Sequence, residues 1–320
     1  MVTPRSDPTQ PPLIVITGPT GTGKTHAGIE LALRFDGEVI SADSRYLYRH
    51  FNIGVAKPSE ADRRGVPHHV IDVADPNEVL TLAAYQDAAF AAIADIQARN
   101  KLPFLVGGTP LYLNSVVEGW RIPRVPPNAA FRAELEEEIR QAGIEVLAAR
   151  LATIDPIASA RSGLNPRRII RALEIHAATG QRMSDLEGKG PPPFATLEIG
   201  LTLPRAPRYA ALDARIDGHI EAGLVQEVRA LLEAGVDPTA PAMSALGYRQ
   251  LLPYLAGEIS LPEAVHRIKI ETHRFVRHQY TWLRRNPHLI WLDVSEPGCL
   301  ENAGALVTSF QARRAAPPVK

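Results

Sequence analysis

Apolar residues along this chain fall into two kinds of run. Residues 13–16 form a short apolar run consistent with a buried parallel strand, and 38–41, 102–106 and 197–203 also read as strands. Between them lie longer stretches with apolar positions three and four apart. Residues 26–35 place Ala27, Leu31 and Leu33 on a helical repeat, and the alanine-rich 83–98 does the same with Tyr85, Phe90, Ile93 and Ile96. Strands alternating with helices predict an α/β fold built on a parallel sheet.

The pattern changes after Gly119. Pro123, Pro126 and Pro127 punctuate a loop, and 131–141 is a highly charged helical stretch. Residues 161–178 form another, with Asn165-Pro166 as a start signal, and 188–193 is a Gly/Pro-rich break. Further helices are expected over 209–233, 244–255 and 261–285, and a last strand at 290–292. The chain is therefore divided into a core of 13–119 and 197–310, an inserted helical domain at 120–196, and tails at 1–12 and 311–320. No internal repeat is visible.

Composition narrows the classes. Of 320 residues, 45% are hydrophobic and 22% charged, so wholesale disorder is excluded. Lys plus Arg and Asp plus Glu both number 35, which rules out an overall basic coat but not a local basic groove. The single cysteine, Cys299, has no intrachain partner, and no zinc spacing exists. Residues 1–12 lack an apolar signal core, and no run is long enough to span a membrane. The expectation is a cytoplasmic protein with no membrane contact and, by default, a monomer.

The strongest local signal follows the first strand. Gly18-Pro19-Thr20-Gly21-Thr22-Gly23-Lys24-Thr25 matches G-x-x-x-x-G-K-[ST] throughout, after a strand and before a helix. Its backbone N–H groups and the helix N-terminus would wrap a phosphate, Lys24 would reach the outer oxygens, and the Thr25 hydroxyl is placed to ligate Mg²⁺. The fold expected from this is a P-loop NTPase-like sheet flanked by helices, with the inserted helical domain. ATP and a diphosphate leaving group suit such a loop equally well. A motor ATPase also needs a carboxylate at a strand end, but the 102–106 strand runs into Gly107-Gly108-Thr109, and Val70-Ile71-Asp72 is a weaker candidate.

Asp43 follows the second strand, where parallel sheets bind ligands. It is either a proton acceptor for a substrate amine or hydroxyl, or a helix cap. Residues 263–288 carry Arg267, Lys269, Arg274, Arg277, Arg284 and Arg285 against Glu263 and Glu271, and Arg167, Arg168 and Arg171 cluster elsewhere. These are solvated helix faces or a phosphate-tracking groove. His266, His273, His278 and His288 form no tight metal pair.

Taken in order, several segments resemble the tRNA dimethylallyltransferase (tRNA isopentenyltransferase) family. They are Gly18 to Thr25, Ser41-Ala42-Asp43-Ser44, Asn52-Ile53-Gly54-Val55-Ala56-Lys57-Pro58, Pro67-His68-His69-Val70-Ile71-Asp72 and Val106-Gly107-Gly108-Thr109-Pro110-Leu111-Tyr112. Asn165-Pro166-Arg167-Arg168, Arg171-Ala172-Leu173-Glu174, Gly223-Leu224, Glu227-Val228, Leu246-Gly247-Tyr248-Arg249-Gln250 and Gln279-Tyr280-Thr281-Trp282-Leu283-Arg284 continue the series. The set spans about residues 13–293.

The resemblance implies transfer of a dimethylallyl group from dimethylallyl diphosphate to N6 of adenine 37, beside the tRNA anticodon. By it, Lys24, Thr25 with Mg²⁺, and Arg215 would neutralise the leaving diphosphate, and Asp43 would orient the amine and take its proton. By it also, Asp43, Ser44, Arg45, Tyr46, Thr109, Arg132, Arg167, Arg168, Arg171, Gly247, Tyr248, Arg249, Arg277, Gln279, Trp282 and Arg284 would contact the anticodon stem-loop. The chain departs from the family where Tyr46 replaces a usual Gln, Val55 a usual Thr and Ala211 an arginine. Three other classes remain open: a small-molecule kinase using the same loop, a prenyltransferase acting on free adenine nucleotide, and a non-catalytic RNA-binding module.

Overall fold

A computed structural model of the chain describes residues 9–315. Eight strands are present among them: β1 Pro12–Thr17, β2 Gly37–Ser41, β3 His68–His69, β4 Leu102–Gly107, β5 Trp120–Arg121, β6 Gly188–Lys189, β7 Ala195–Thr202 and β8 Ile290–Asp293. Six form one all-parallel sheet in the order β3-β2-β4-β1-β7-β8. β1 is central, with Ile14 beside Phe104 on one flank and Leu197 on the other. Most of its buried residues, and those of β4 and β7, are apolar, with Thr17, Thr196 and Glu198 the buried polar exceptions. The helix Lys24–Arg34 packs Ile29 and Leu31 against Ile16, Phe104, Val106 and Leu197 in one cluster, joined by Val307 and Phe310 of the helix Cys299–Ala315.

The chain divides into two compact units, one of 1–80, 84–117 and 193–320, the other of 81–83 and 118–192. The second unit is helical, with Ala129–Ala142, Ile144–Ile154, Pro156–Ser162 and Pro166–Thr179 packed around Leu135, Leu147, Leu151, Ile169 and Leu173. A small antiparallel pair, β5 with β6, closes it. The Asn165-Pro166 signal is a true start: the Asn165 side chain accepts from the Arg168 N–H.

Several predicted elements break where glycine permits a left-handed backbone. The continuous 209–233 helix is two helices, Arg205–Glu221 and Leu224–Glu233, separated at Gly223 with φ +102°. The 244–255 helix is likewise a short 3₁₀ turn followed by Tyr248–Leu255. Val70-Ile71-Asp72 is a strained turn, with φ +57° at Val70 and +55° at Asp72, so it supplies no strand-end carboxylate. Asp72 instead pairs with the buried Lys57 at 2.5 Å. Residues 311–315, expected in a tail, continue the last helix, while 1–8 and 316–320 lie outside the described residues.

The carboxyl ends of β1, β2 and β4 converge, as open parallel sheets require of their ligand crevice. Gly107 makes that convergence possible: a Cβ there would lie 2.2 Å from the Ala42 carbonyl carbon and oxygen. Gly107→Ala is therefore expected to cost about 1–3 kcal/mol by forcing β4 away from β2. Denaturant unfolding checks this, and an unchanged midpoint would refute the steric reading.

Candidate active site

The phosphate loop is assembled by local forces. Gly18, Gly21 and Gly23 carry positive φ, and Gly23 caps the helix Lys24–Arg34 in the left-handed region. Thr22 Oγ1 donates to the Pro19 carbonyl at 2.9 Å, and Lys24 Nζ donates to the same oxygen at 2.9 Å. Burial lowers the Lys24 ammonium to about 8; the Asp43 charge opposes this and the Arg215 charge adds to it. Lys24 thus loses its proton as pH rises through 8, and with it the charge that attracts phosphate. Affinity for inorganic diphosphate is expected to fall between pH 7 and 10 in the native protein. It should stay flatter in Lys24→Arg, whose guanidinium keeps its proton throughout. Calorimetric titration across that range measures it; parallel curves for the two proteins would contradict the assignment.

Asp43 lies in the turn after β2, and the structure gives a different local role from the helix cap. Its Oδ1 accepts the Arg45 N–H at 2.9 Å, an Asx turn, while its own N–H meets Ser41 Oγ at 3.3 Å. Oδ2 accepts no hydrogen bond among the described residues. One oxygen is thereby fixed and the other presented. The next residue is tied across the crevice, since the Ser44 N–H donates to Thr109 Oγ1 at 3.0 Å.

Tyr46 and Arg215 join the same site. The Tyr46 hydroxyl donates to the Ala56 carbonyl at 2.8 Å and is hydrogen-bonded to Thr25. Burial and the Asp43 charge push its phenol up to about 12, against the opposing Thr25 hydrogen bond and Arg215 charge. Arg215 donates from Nε to His219 Nε2 at 3.4 Å. Burial, then the Arg215 charge, lowers His219 to about 4, so the imidazole is neutral and acts as an acceptor. Sequence reasoning missed His219, although its place one helical turn after Arg215 was a usable signal. It also missed Tyr85, whose hydroxyl donates to the Ser41 carbonyl at 3.0 Å while its ring stacks on Tyr112 at 3.7 Å.

The residues expected to meet RNA are placed unevenly. Arg277, Trp282 and Arg284 are exposed on the helix Leu261–Leu283, with the Arg284 guanidinium 5.2 Å over the Tyr280 ring. Arg45 is half-buried, its Nη1 donating to the Pro241 carbonyl at 2.8 Å. Gly247, at φ +94°, caps the next helix, and Arg249 is ion-paired with Glu271. Two expectations are corrected. Tyr248 is fully buried against Phe51, its hydroxyl bonded to Glu227, and Gln279 is 5% exposed with both amide ends bonded inside the protein. Neither side chain is available to an external ligand.

In the helical unit, Arg132 forks onto the buried Glu174 with two contacts of 2.8 Å, and Arg171 adds a third at 2.5 Å. Burial opposes ionisation of Glu174, but these arginines and the Asn128 N–H outweigh it and hold the carboxyl near 2. The guanidinium groups of 132 and 171 are committed to this knot. Arg167 and Arg168 are exposed.

A model of the family described as IPP transferase matches residues 46–286. A tRNA dimethylallyltransferase of Thermomicrobium roseum is 54% identical over 291 residues, covering 91% of this chain and 88% of that protein. One from Roseiflexus castenholzii is 52% identical, covering 92% and 97%. Among solved structures, the full-length tRNA isopentenylpyrophosphate transferase of Bacillus halodurans is similar with TM-score 0.72 and 34% identity, covering 96% of this chain and 98% of that one. A eukaryotic dimethylallyltransferase acting on tRNA reaches TM-score 0.79 at 26% identity, covering 96% and 80%.

Proposed function

The chain belongs to the IPP transferase family, and from that premise we propose that it transfers a dimethylallyl group to tRNA. The donor in this reading is dimethylallyl diphosphate, and the acceptor is N6 of adenine 37 in the anticodon stem-loop. The products are N6-dimethylallyladenosine and diphosphate. The observation that carries it is the phosphate loop after β1, where Lys24 Nζ is held on the Pro19 carbonyl at 2.9 Å and feels the charges of Asp43, in the turn after β2, and of Arg215.

That arrangement suits an allylic displacement. The C–O bond to the diphosphate breaks and its electron pair leaves with the oxygen, while the amine lone pair forms the new C–N bond. Lys24 and Arg215, both half-buried, offset the charge that grows on the leaving group. An adenine amine is a poor nucleophile because its lone pair is delocalised into the ring. The presented Oδ2 of Asp43 would accept a hydrogen bond from it, aim it at the allylic carbon and take the proton. The base has to leave its stack to reach Asp43. Exposed Arg277, Trp282 and Arg284, and Arg167 and Arg168 in the helical unit, offer the phosphate and stacking contacts that a splayed loop needs.

Mg²⁺ belongs to the same reading. The Thr25 hydroxyl is a hard oxygen donor of the kind it takes. No group of three or more His, Cys, Asp or Glu able to hold a metal exists among the described residues. The residues therefore fit an ion shared with diphosphate oxygens and water rather than a protein cage, and once bound it would offset leaving-group charge. One copy of the chain holds all four reacting-site residues, so a monomer suffices. No helix among the described residues is long and apolar enough to cross a membrane, and we place the reaction in the cytoplasm with its RNA substrate.

The test is transfer of label from radioactive dimethylallyl diphosphate, with Mg²⁺, into unmodified tRNA carrying adenines at 36 and 37. Label is expected in that RNA and absent from one with guanine at 37. Label appearing in neither, with γ-phosphate transfer from ATP to a small acceptor, would replace this reading with a kinase.

A further inference from the structure

Two loops have to be held in register for the proposed reaction, and the sheet does not do it. The β1–β4 ladder ends at the pair Thr17 and Gly107. Beyond it, one strand runs into the phosphate loop and the other into Gly108-Thr109. The amide of Gln279, from the helix Leu261–Leu283, sits where they separate. Its Oε1 accepts the Thr20 backbone N–H at 2.8 Å and the Thr20 hydroxyl at 3.1 Å. Its Nε2 donates to the Gly108 carbonyl at 2.9 Å.

The connection continues to Asp43. Thr109 donates its N–H to the Ala42 carbonyl at 3.1 Å and accepts the Ser44 N–H on its hydroxyl at 3.0 Å. Those two residues flank Asp43. The fit at Gln279 is close, since a Cβ on Gly108 would lie 2.9 Å from its Nε2, 3.3 Å from the Gly18 carbonyl oxygen and 3.4 Å from Lys24 Cε. Only a side chain with an acceptor and a donor about 2.3 Å apart, as in a planar amide, bridges an N–H and a C=O in this way.

We propose that Gln279 is a positioning residue that fixes the phosphate loop against the Asp43 turn, and so sets the approach of amine to allylic carbon. The identity of those reacting groups rests on the function proposed above. Displacement by about 1 Å between reacting groups costs on the order of 100-fold in rate, so loss of this amide should register in turnover as well as in stability.

The experiment compares the native protein with Gln279→Met, which fills the space without bridging, and Gln279→Asn, which keeps the amide one methylene short. Turnover, thermal midpoint, and dissociation constants for tRNA and for inorganic diphosphate with Mg²⁺ are measured on each. In Gln279→Met, kcat should fall about 10- to 100-fold, diphosphate binding weaken about tenfold, and tRNA binding change less than about twofold. A lower thermal midpoint with kcat and diphosphate binding within twofold of native would overturn the proposal, leaving Gln279 a packing residue. If Gln279→Met does not fold, Gln279→Asn decides by the same thresholds. A native protein that binds diphosphate yet transfers no prenyl group would sink the transferase reading instead. The diphosphate constants of the variants then judge Gln279 alone: weakened, the loop role stands; unchanged, it falls.

Discussion

Asp43→Asn is expected to lower kcat by about 10²–10⁴ while leaving tRNA binding within a few-fold of native, because the amide keeps the shape but cannot take a proton. The Asx turn makes this a clean substitution. The Asn side-chain oxygen can still accept the Arg45 N–H that Oδ1 accepts at 2.9 Å, so the turn survives. What changes is the second atom, which becomes an NH₂ donor facing an amine that also donates. Single-turnover kinetics with labelled donor separates this from a binding defect. A variant with kcat within tenfold of native would remove Asp43 from proton transfer and leave it a turn residue.

Lys24→Met is expected to act on the other half of the reaction. Removing a preorganised charge from a developing anion costs on the order of 10²–10³ in kcat. Here Lys24 is half-buried, with the Arg215 charge near enough to add to the lowering of its pKa. Arg215 therefore remains in Lys24→Met, and the loss should stop short of abolition; the double variant Lys24→Met with Arg215→Met should lose more than either alone. Methionine retains the apolar stem and gives up one hydrogen bond, that of Nζ to the Pro19 carbonyl, which Thr22 still satisfies, so the thermal midpoint should stay near native. If inorganic diphosphate binds Lys24→Met as tightly as native, the lysine does not touch the phosphates. Kinetics and calorimetry on the same preparations give both answers.

The sheet and the phosphate loop were legible because their signals are local. Apolar runs marked β1 and β4, alternating Leu and Ile marked β7, and one octapeptide carries the loop's glycines, lysine and threonine. Strand β3 was not legible, since two histidines pairing with Val39 and Ile40 have no periodicity to read. Helix breaks at Gly223 and Gly247 were missed because both flanks are apolar-periodic, and one left-handed glycine changes direction without changing the pattern. The site shows the same division. Asp43 is proposed from its place after a strand, and Arg215 only through resemblance. Gln279 and Tyr248 were assigned to RNA because motifs name residues without saying which face of a helix they occupy. Burial, which depends on distant chain, turned them inward.

The position of β1 in the sheet has a consequence for the order of events during synthesis. Its partner on one side, β4, ends at Gly107, but the partner on the other, β7, begins only at Ala195. About 88 residues separate them, and at roughly 5–20 residues per second the ribosome needs on the order of 4–18 s to supply them. Through that interval a nascent core of β1, β2 and β4 carries an unpaired edge strand, β1, with mostly apolar side chains, of the kind that recruits foreign strands. The helical unit is completed within the same interval, with its own apolar cluster. Chaperone dependence should therefore concentrate in chains stalled between residues 107 and 195, and slower translation of that stretch should lower the soluble yield.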